Sequence, residues 1–499
     1  MKRMVLAVLA LMGAGGLFAA PVGDGLNGDR VDFEVTLDGR ALPLEAARDS
    51  AFPLNQVWPG YERPVSQSRL DAFVRFDLAK PGEVAVKLPA GVKPEEVKLR
   101  PYGRSDRLEV RDGVARVRLD RPQQAVLEFG AGRPQLHVFA DPPFTHVPAA
   151  NEIYFGPGVH EAGLICPTNG QTVCIDAGAT VHGALLLEGV TNVTVTGRGI
   201  LDASRIRRVS SDGRYLRQLS AEEKAKLVDV TAFMCRASEN IRVEGVVFRD
   251  SPFWVLIFRD GCRHVVVDNV KVVGQWRYNS DGIDICGCRD VAVRNSFIRS
   301  FDDSFVVRDD WKGGAAGAAR NIVCEDCLLW CDWGCNVKAQ LSFVDGATIE
   351  QVAVRRCVFA NVQAMGVIVA ARPGGRNGVI RDFAVEDVEL DLSDVRLKQR
   401  LQHREKPDEA YIPEAQSNLV LFVVNNYDLR NKPLDRISLL YDRLAFRRFQ
   451  VLGGPYEAAI GKVQLTAGKE EVRDFVAEEL PPRFFLSRKA TFTTSADRR

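Results

Sequence analysis

A nine-residue pattern recurs from residue 192 onward and restricts the fold more than any other feature. It reads "NVTVTGRGI" at 192, "NIRVEGVVF" at 240, "HVVVDNVKV" at 264, "DVAVRNSFI" at 290, "NIVCEDCLL" at 321, "QVAVRRCVF" at 351 and "DFAVEDVEL" at 382. Its second and fourth positions are apolar or aromatic each time, as expected of a half-buried strand. Its sixth position holds Gly197, Gly245, Asn269, Asn295, Asp326, Arg356 and Asp387. Gly, Asn and Asp tolerate a left-handed backbone, so this position reads as a one-residue corner from which only Arg356 departs. The seventh and ninth positions turn apolar or small again, apart from Arg198 at the seventh, so each unit is strand, corner, strand. The units start 48, 24, 26, 31, 30 and 31 residues apart. The interval of 48 reads as two turns carrying the insertion "RIRRVSSDGRYLRQLSAEEKAKL". One coil per interval makes a right-handed parallel β-helix, its coils spaced by ~4.8 Å. Leucine-rich repeats lack a match here, and propeller blades need a longer unit. Val243, Val267, Val293, Cys324, Val354 and Val385 should stack in one inward ladder, with Cys327 and Cys357 as reduced thiols on the next.

The flanking segments read differently. Residues 30–148 hold short alternating strands such as "DAFVRFDL" and "GVARVRL", which predict a β-sandwich. "ADPPFTHVPAA" is a Pro-rich hinge into the solenoid, which runs over 149–485. "VRLKQRLQHREKPDEAYIPEA" reads as a polar insertion late in it. Residues 1–20 combine a basic start, a short apolar run and small residues, the pattern of a secretory signal peptide. Export to the periplasm or the cell exterior is therefore expected, with no membrane anchor after cleavage. A formal net charge of +1 gives no indication of a nucleic-acid partner. The 11 Cys are an odd number and lie mostly in apolar runs. They read as buried structural residues, and neither a metal nor a cofactor is expected.

Carboxylates concentrate in two stretches. "NSDGIDI" contains Asp281 and Asp284, and "FDDSF" contains Asp302 and Asp303, 21 residues from Asp281 to Asp302. Both stretches follow the strand pair of a repeat unit, so they fall on one side of the solenoid, one coil apart. Alternation turns Ile283 and Ile285 inward and Asp284 outward. Several acids this close repel one another unless their proton affinities are split, and a split pair is what glycoside hydrolysis uses. The pair Asp309 and Asp310 in "RDDWKGG" reads instead as solvated loop. In "NVKAQ", Asn336 and Lys338 are expected to face outward around an inward Val337.

"NSDGIDI" followed by "FDDSF" resembles the signature of glycoside hydrolase family 28, the polygalacturonases. The sandwich leading into "YFGPGVH" and a β-helix is more similar to family 49, the dextranases and isopullulanase. The resemblance covers about residues 150–395 and implies inverting hydrolysis of a polysaccharide or oligosaccharide. It implies Asp302 as general acid, with Asp281 and Asp303 activating water across the ~6.5–9.5 Å that inversion requires. Asn279 resembles the Asn that opens the motif, and Asp284 joins it as a substrate-binding candidate. Two departures follow. Trp333 stands where polygalacturonases carry the His of Gly-His-Gly, and Ile368 and Ala370 stand where their Arg-Ile-Lys grips the uronate carboxylate. Lys338, Arg372 and Arg376 are candidates to replace those charges. Trp276, Trp311, Trp330 and Trp333 are candidates for stacking on sugar rings. A neutral glycan is favoured, since a uronate charge must be paired. A polysaccharide lyase and a non-catalytic carbohydrate-binding β-helix are the alternatives on the same fold.

Overall fold

The computed structural model describes residues 21–51, 63–206, 220, 231–310, 318–342, 344–362, 365–372, 375–392, 420–426, 438–453, 461–463, 470–480, 484–486 and 491–493. The expected signal peptide, most of the insertion after residue 205, Trp311 and the late polar insertion lie outside these residues. Among the described residues no helix is long and apolar enough to cross a membrane.

From Glu152 onward the strands form a parallel β-helix with three strands per coil. A typical coil runs Ile283–Cys286, Arg289–Arg294, Phe297–Ser300, and the next runs Phe305–Arg308, Ala318–Glu325, Leu328–Cys331. The predicted inward ladder forms in register. Val243 pairs with Val267, Val267 with Val293, Val293 with Cys324, Cys324 with Val354 and Val354 with Val385. All six are buried in one continuous core, which holds the solenoid together because no coil buries its apolar face alone. Ile283, Ile285 and Val337 also join that core, as expected from alternation. All 11 cysteines are free, and only Cys166 is exposed.

The corners reveal a second rule. The sixth position has positive φ in every unit, Arg356 included at 52°. Arg356 is held there by its guanidinium on Asp326 and Glu325. The first position is left-handed too, at Asn192, Asn240, His264, Asp290, Asn321, Gln351 and Asp382. Each strand is thus bracketed by two corners, and the recurrent polar residue opening each unit was the signal for the one that sequence reading missed. The interval of 48 is corrected. Thr194 pairs directly with Arg242, so those residues make one coil with a long excursion, not two.

Ahead of the solenoid, two five-stranded sheets share a core that includes Phe33, Val84, Leu127 and Val138. One of these sheets packs on the third strand of successive coils. Phe73, Val126 and Phe139 meet Val247, Val273, Phe297 and Trp330 in a separate apolar patch. Charges cross this interface as well. Arg299, wholly buried, pairs with Asp71 at 3.1 Å, Asp49 at 3.3 Å and Asp332 at 3.5 Å. It also donates to Gln135 Oε1 at 2.8 Å and to His137 Nε2 at 2.9 Å. His137 therefore carries its proton on Nδ1 and donates it to the Ala72 carbonyl. Burial, reinforced by Arg299, keeps this ring neutral, its pKa pushed down to about 3.

Candidate active site

The candidate residues sit in the turns that join the third strand of one coil to the first strand of the next. Asn279 and Asp281 precede Ile283–Cys286, Asp302 and Asp303 precede Phe305–Arg308, and Trp333 and Gly334 precede Cys335–Leu341. Backbone hydrogen bonds tie these turns together. Gly282 N–H donates to the Asp303 carbonyl at 2.8 Å, and Ser304 N–H to the Cys335 carbonyl at 2.9 Å. Asp281 is thereby aligned with Asp303, one coil apart. Close approach explains Gly334: a Cβ there would lie 2.6 Å from Asp302 Oδ1 and 2.7 Å from Asp303 Oδ1.

Asp302 and Asp303 are adjacent in sequence but differ in environment. Asp303 accepts from the Lys338 ammonium and, at 3.0 Å each, from the Cys335 N–H and thiol. Burial alone would raise its pKa, yet Lys338 and these donors outweigh burial and hold Asp303 below the ordinary carboxylate range. Asp302 accepts from Asn279 Nδ2 at 3.2 Å and from the Asp303 N–H at 3.1 Å. Burial and the neighbouring Asp303 charge push Asp302 up to about 6, with Lys338 opposing. Asp281 is raised by burial and then by Asp302, Asp284 and Asp303, against the pull of Arg308.

Arg308 was not among the sequence candidates. It lies 3.6 Å from Asp281 Oδ2, donates to Asp284 Oδ1 at 3.3 Å and to Gln340 Oε1 at 2.7 Å, and sits 4.7 Å from the Trp254 ring centre. Alternation in "SFVVR" could have found it, because inward Phe305 and Val307 send Val306 and Arg308 outward beside Asp284. Asp284 is pushed up to about 7 by burial despite Arg308.

The remaining candidates divide. Trp333 is half-buried and stacks on Phe301, with ring centres 5.4 Å apart and planes at 7°. Arg63, between the sandwich strands Glu45–Ser50 and Ser68–Asp77, lies 4.1 Å from the centre of the Phe301 ring. Trp330 and Trp276 are buried, so neither offers a face to a sugar; Trp330 donates to Asp332 at 2.9 Å beneath the Arg299 network. Arg372 follows the strand Met365–Ala371, and its backbone N–H bonds to the Leu341 carbonyl at 2.7 Å. Arg376 makes a surface pair with Asp345.

Two outward expectations are corrected. Asn336 is buried and donates to the carbonyls of Leu329 and Ala360, bridging two coils at a corner. Asp309 and Asp310 are buried rather than solvated. Asp309 accepts from Ser342 N–H and Val344 N–H, both at 2.8 Å. Asp309→Ala is expected to destabilise the protein by about 1–3 kcal/mol for each N–H left buried and unpaired. A chemical-denaturation midpoint measures this, and an unchanged midpoint refutes it.

The profile of glycosyl hydrolases family 28 matches residues 173–389, a span that includes every residue of this cluster. A dextranase of Arthrobacter globiformis is 26% identical over 166 residues, 31% of this chain and 26% of that protein. A dextranase of Arthrobacter sp. (strain CB-8) is 26% identical over 162 residues, 30% of this chain and 25% of that protein. The matches thus span about a quarter of the length of these relatives. Among solved structures, Dex49A from Penicillium minioluteum aligns with a TM-score of 0.49 at 14% identity, covering 79% of this chain and 87% of that one. An exopolygalacturonase from Thermotoga maritima aligns with a TM-score of 0.43 at 15% identity, covering 68% and 84%. The profile match over its central coils and the two partial dextranase alignments make the chain similar to the glycoside hydrolases of family 28 and to dextranases.

Proposed function

We propose that this chain is an exported glycoside hydrolase that cleaves a neutral glucan by acid/base catalysis with inversion. The observation that carries the reading is the split between two adjacent carboxylates. Asp302 is raised to about 6 by burial and by Asp303, while Lys338 and Cys335 keep Asp303 ionised. Near pH 5 the pair therefore holds one proton, on Asp302. Asp302 gives that proton to the glycosidic oxygen as the C–O bond breaks. Asp303 takes a proton from the water whose oxygen forms the new bond to the anomeric carbon. Asp281, aligned with Asp303, flanks the same water. Because burial and the surrounding carboxylates favour its protonated form, the base role falls first to Asp303. The signal-peptide reading of residues 1–20 and a split into 30–148 and 149–485 belong to this proposal.

The surroundings favour a neutral sugar. Ile368 and Ala370 form a buried apolar patch with Cys335 where a uronate clamp would stand. Lys338 is engaged by Asp303, which leaves a substrate carboxylate without that partner. The dextranase relatives point the same way. The test is reducing-end release by the purified chain on dextran, pullulan and polygalacturonate at low salt. Cleavage of dextran or pullulan with inverted product, and none of polygalacturonate, is expected. Cleavage of polygalacturonate alone, or an ultraviolet-absorbing unsaturated end, overturns the proposal.

A further inference from the structure

The first two coils carry a side-chain cluster that the acid/base site does not use. Residues 142–150 lead from the sandwich to the solenoid without regular structure, and His146 belongs to them. In the strands Glu152–Phe155 and Thr172–Ile175, Ile153, Phe155, Val173 and Ile175 pack with the solenoid core. Alternation sends Glu152, Tyr154 and Cys174 to the opposite face, where Tyr154 stands in register with Cys174. His146 Nε2 lies 3.1 Å from both carboxylate oxygens of Glu152. The His146 ring stacks on Tyr154 with centres 4.4 Å apart and planes at 16°. The Tyr154 hydroxyl in turn donates to Asp176 Oδ2 at 2.5 Å. One donor atom each from His146, Glu152 and Cys174 lie within 4.8 Å of one another.

We propose that His146, Glu152 and Cys174 bind a divalent cation of the zinc class, which clamps the connecting segment onto the first two coils. The ligand set selects the ion. An imidazole nitrogen, a thiolate sulfur and one carboxylate suit zinc, whereas magnesium and calcium require oxygen ligands throughout. Zinc bonds of about 2.0–2.3 Å require the three donors to close up modestly from their present spacing, and a water completes the tetrahedron. Cys174 binds as thiolate and its proton leaves to solvent. Tyr154, fixed by Asp176, sets the plane of the imidazole, the orienting role that ligand histidines depend on. The three ligands come from a hinge and two separate coils, so no C-x-x-C or H-x-H spacing announces them in the sequence. The carboxylate cluster lies several coils away, so the metal takes no part in the acid/base reaction proposed there.

The full chain, reduced and stripped of metal, tests this by calorimetric titration with zinc chloride and by thermal melting with and without it. One equivalent of zinc should bind and raise the melting temperature, and magnesium chloride should do neither. Cys174→Ser and His146→Ala should each weaken zinc binding at least tenfold and abolish the stabilisation. Cys166→Ser, which removes the exposed thiol, should leave both unchanged. If wild type binds no zinc, the His146–Glu152 pair is a plain hydrogen-bonded tether and the proposal falls. It falls equally if Cys174→Ser binds as wild type does, or if Cys166→Ser abolishes binding.

Discussion

Asp302→Asn is expected to lower turnover on the responsive glucan by about 10²–10⁴-fold, the usual worth of a positioned general acid, without lowering the melting temperature at pH 7. The two halves of this expectation come from the same environment. Burial and Asp303 raise Asp302 to about 6, above the ordinary Asp value of 3.8. A group whose pKa rises on folding supplies stability at low pH and loses it as the pH climbs through its folded value. At pH 7 the ionised Asp302 is therefore a cost to the fold. The isosteric amide removes that cost and keeps an oxygen to accept from Asn279 or from the Asp303 N–H. A merely structural Asp302 would show the reverse, intact turnover with a lower melting temperature. In the wild type, kcat/KM should decline as the pH rises through about 6, because the acid form of Asp302 is lost there. Lys338→Met should move the acidic limb upward, because Asp303 loses the ammonium that holds it ionised. A pH profile unchanged in the Lys338 variant, or full turnover in Asp302→Asn, contradicts the acid/base assignment.

Arg299→Met is expected to destabilise the protein by about 3–5 kcal/mol, the cost of removing one partner from a buried ion network. Asp49, Asp71 and Asp332 are all fully buried around this guanidinium, and Asp49 has only charge attraction to hold it ionised. The deficit should shrink with falling pH. Asp49 is already raised to about 7 by burial despite Arg299, and without Arg299 it rises further, so protonation relieves the uncompensated charge. Melting temperatures of variant and wild type at pH 7.5 and pH 5 test the sign. Adding Asp49→Asn and Asp332→Asn to Arg299→Met should recover much of the loss at pH 7.5. An equal deficit at both pH values would mean that lost packing against Trp330, not charge, dominates.

Much of the solenoid was legible in the chain alone because alternation and corner residues are local properties. Whether Val267 points inward depends on its own strand, and whether Asn269 turns left-handed depends on its own side chain. The inward ladder follows from these once coils stack. The same locality explains the failures. Position 356 adopts the corner despite being Arg, because Asp326 and Glu325 on the preceding coil hold its guanidinium. The 48-residue interval looks like two coils by length, yet strand pairing makes it one.

At the site, the sequence by itself determined the carboxylate set and its shared edge, since Asp281, Asp302 and Asp303 each precede the first strand of a coil. It could not determine their proton affinities. Those depend on inter-coil register, and the loops that set register vary in length: Asn269 to Asp281 is 12 residues, Asn295 to Asp302 is 7. Only the tertiary structure put the Lys338 ammonium, 35 residues downstream, on Asp303 and not on a substrate. It likewise set Arg308 between Asp281 and Asp284, and drew Trp330 under the Arg299 network away from any sugar. The physical reason is range. Strand periodicity is written in neighbouring residues, whereas a buried charge answers to every group within a few ångströms, and here those groups come from other coils and from the sandwich.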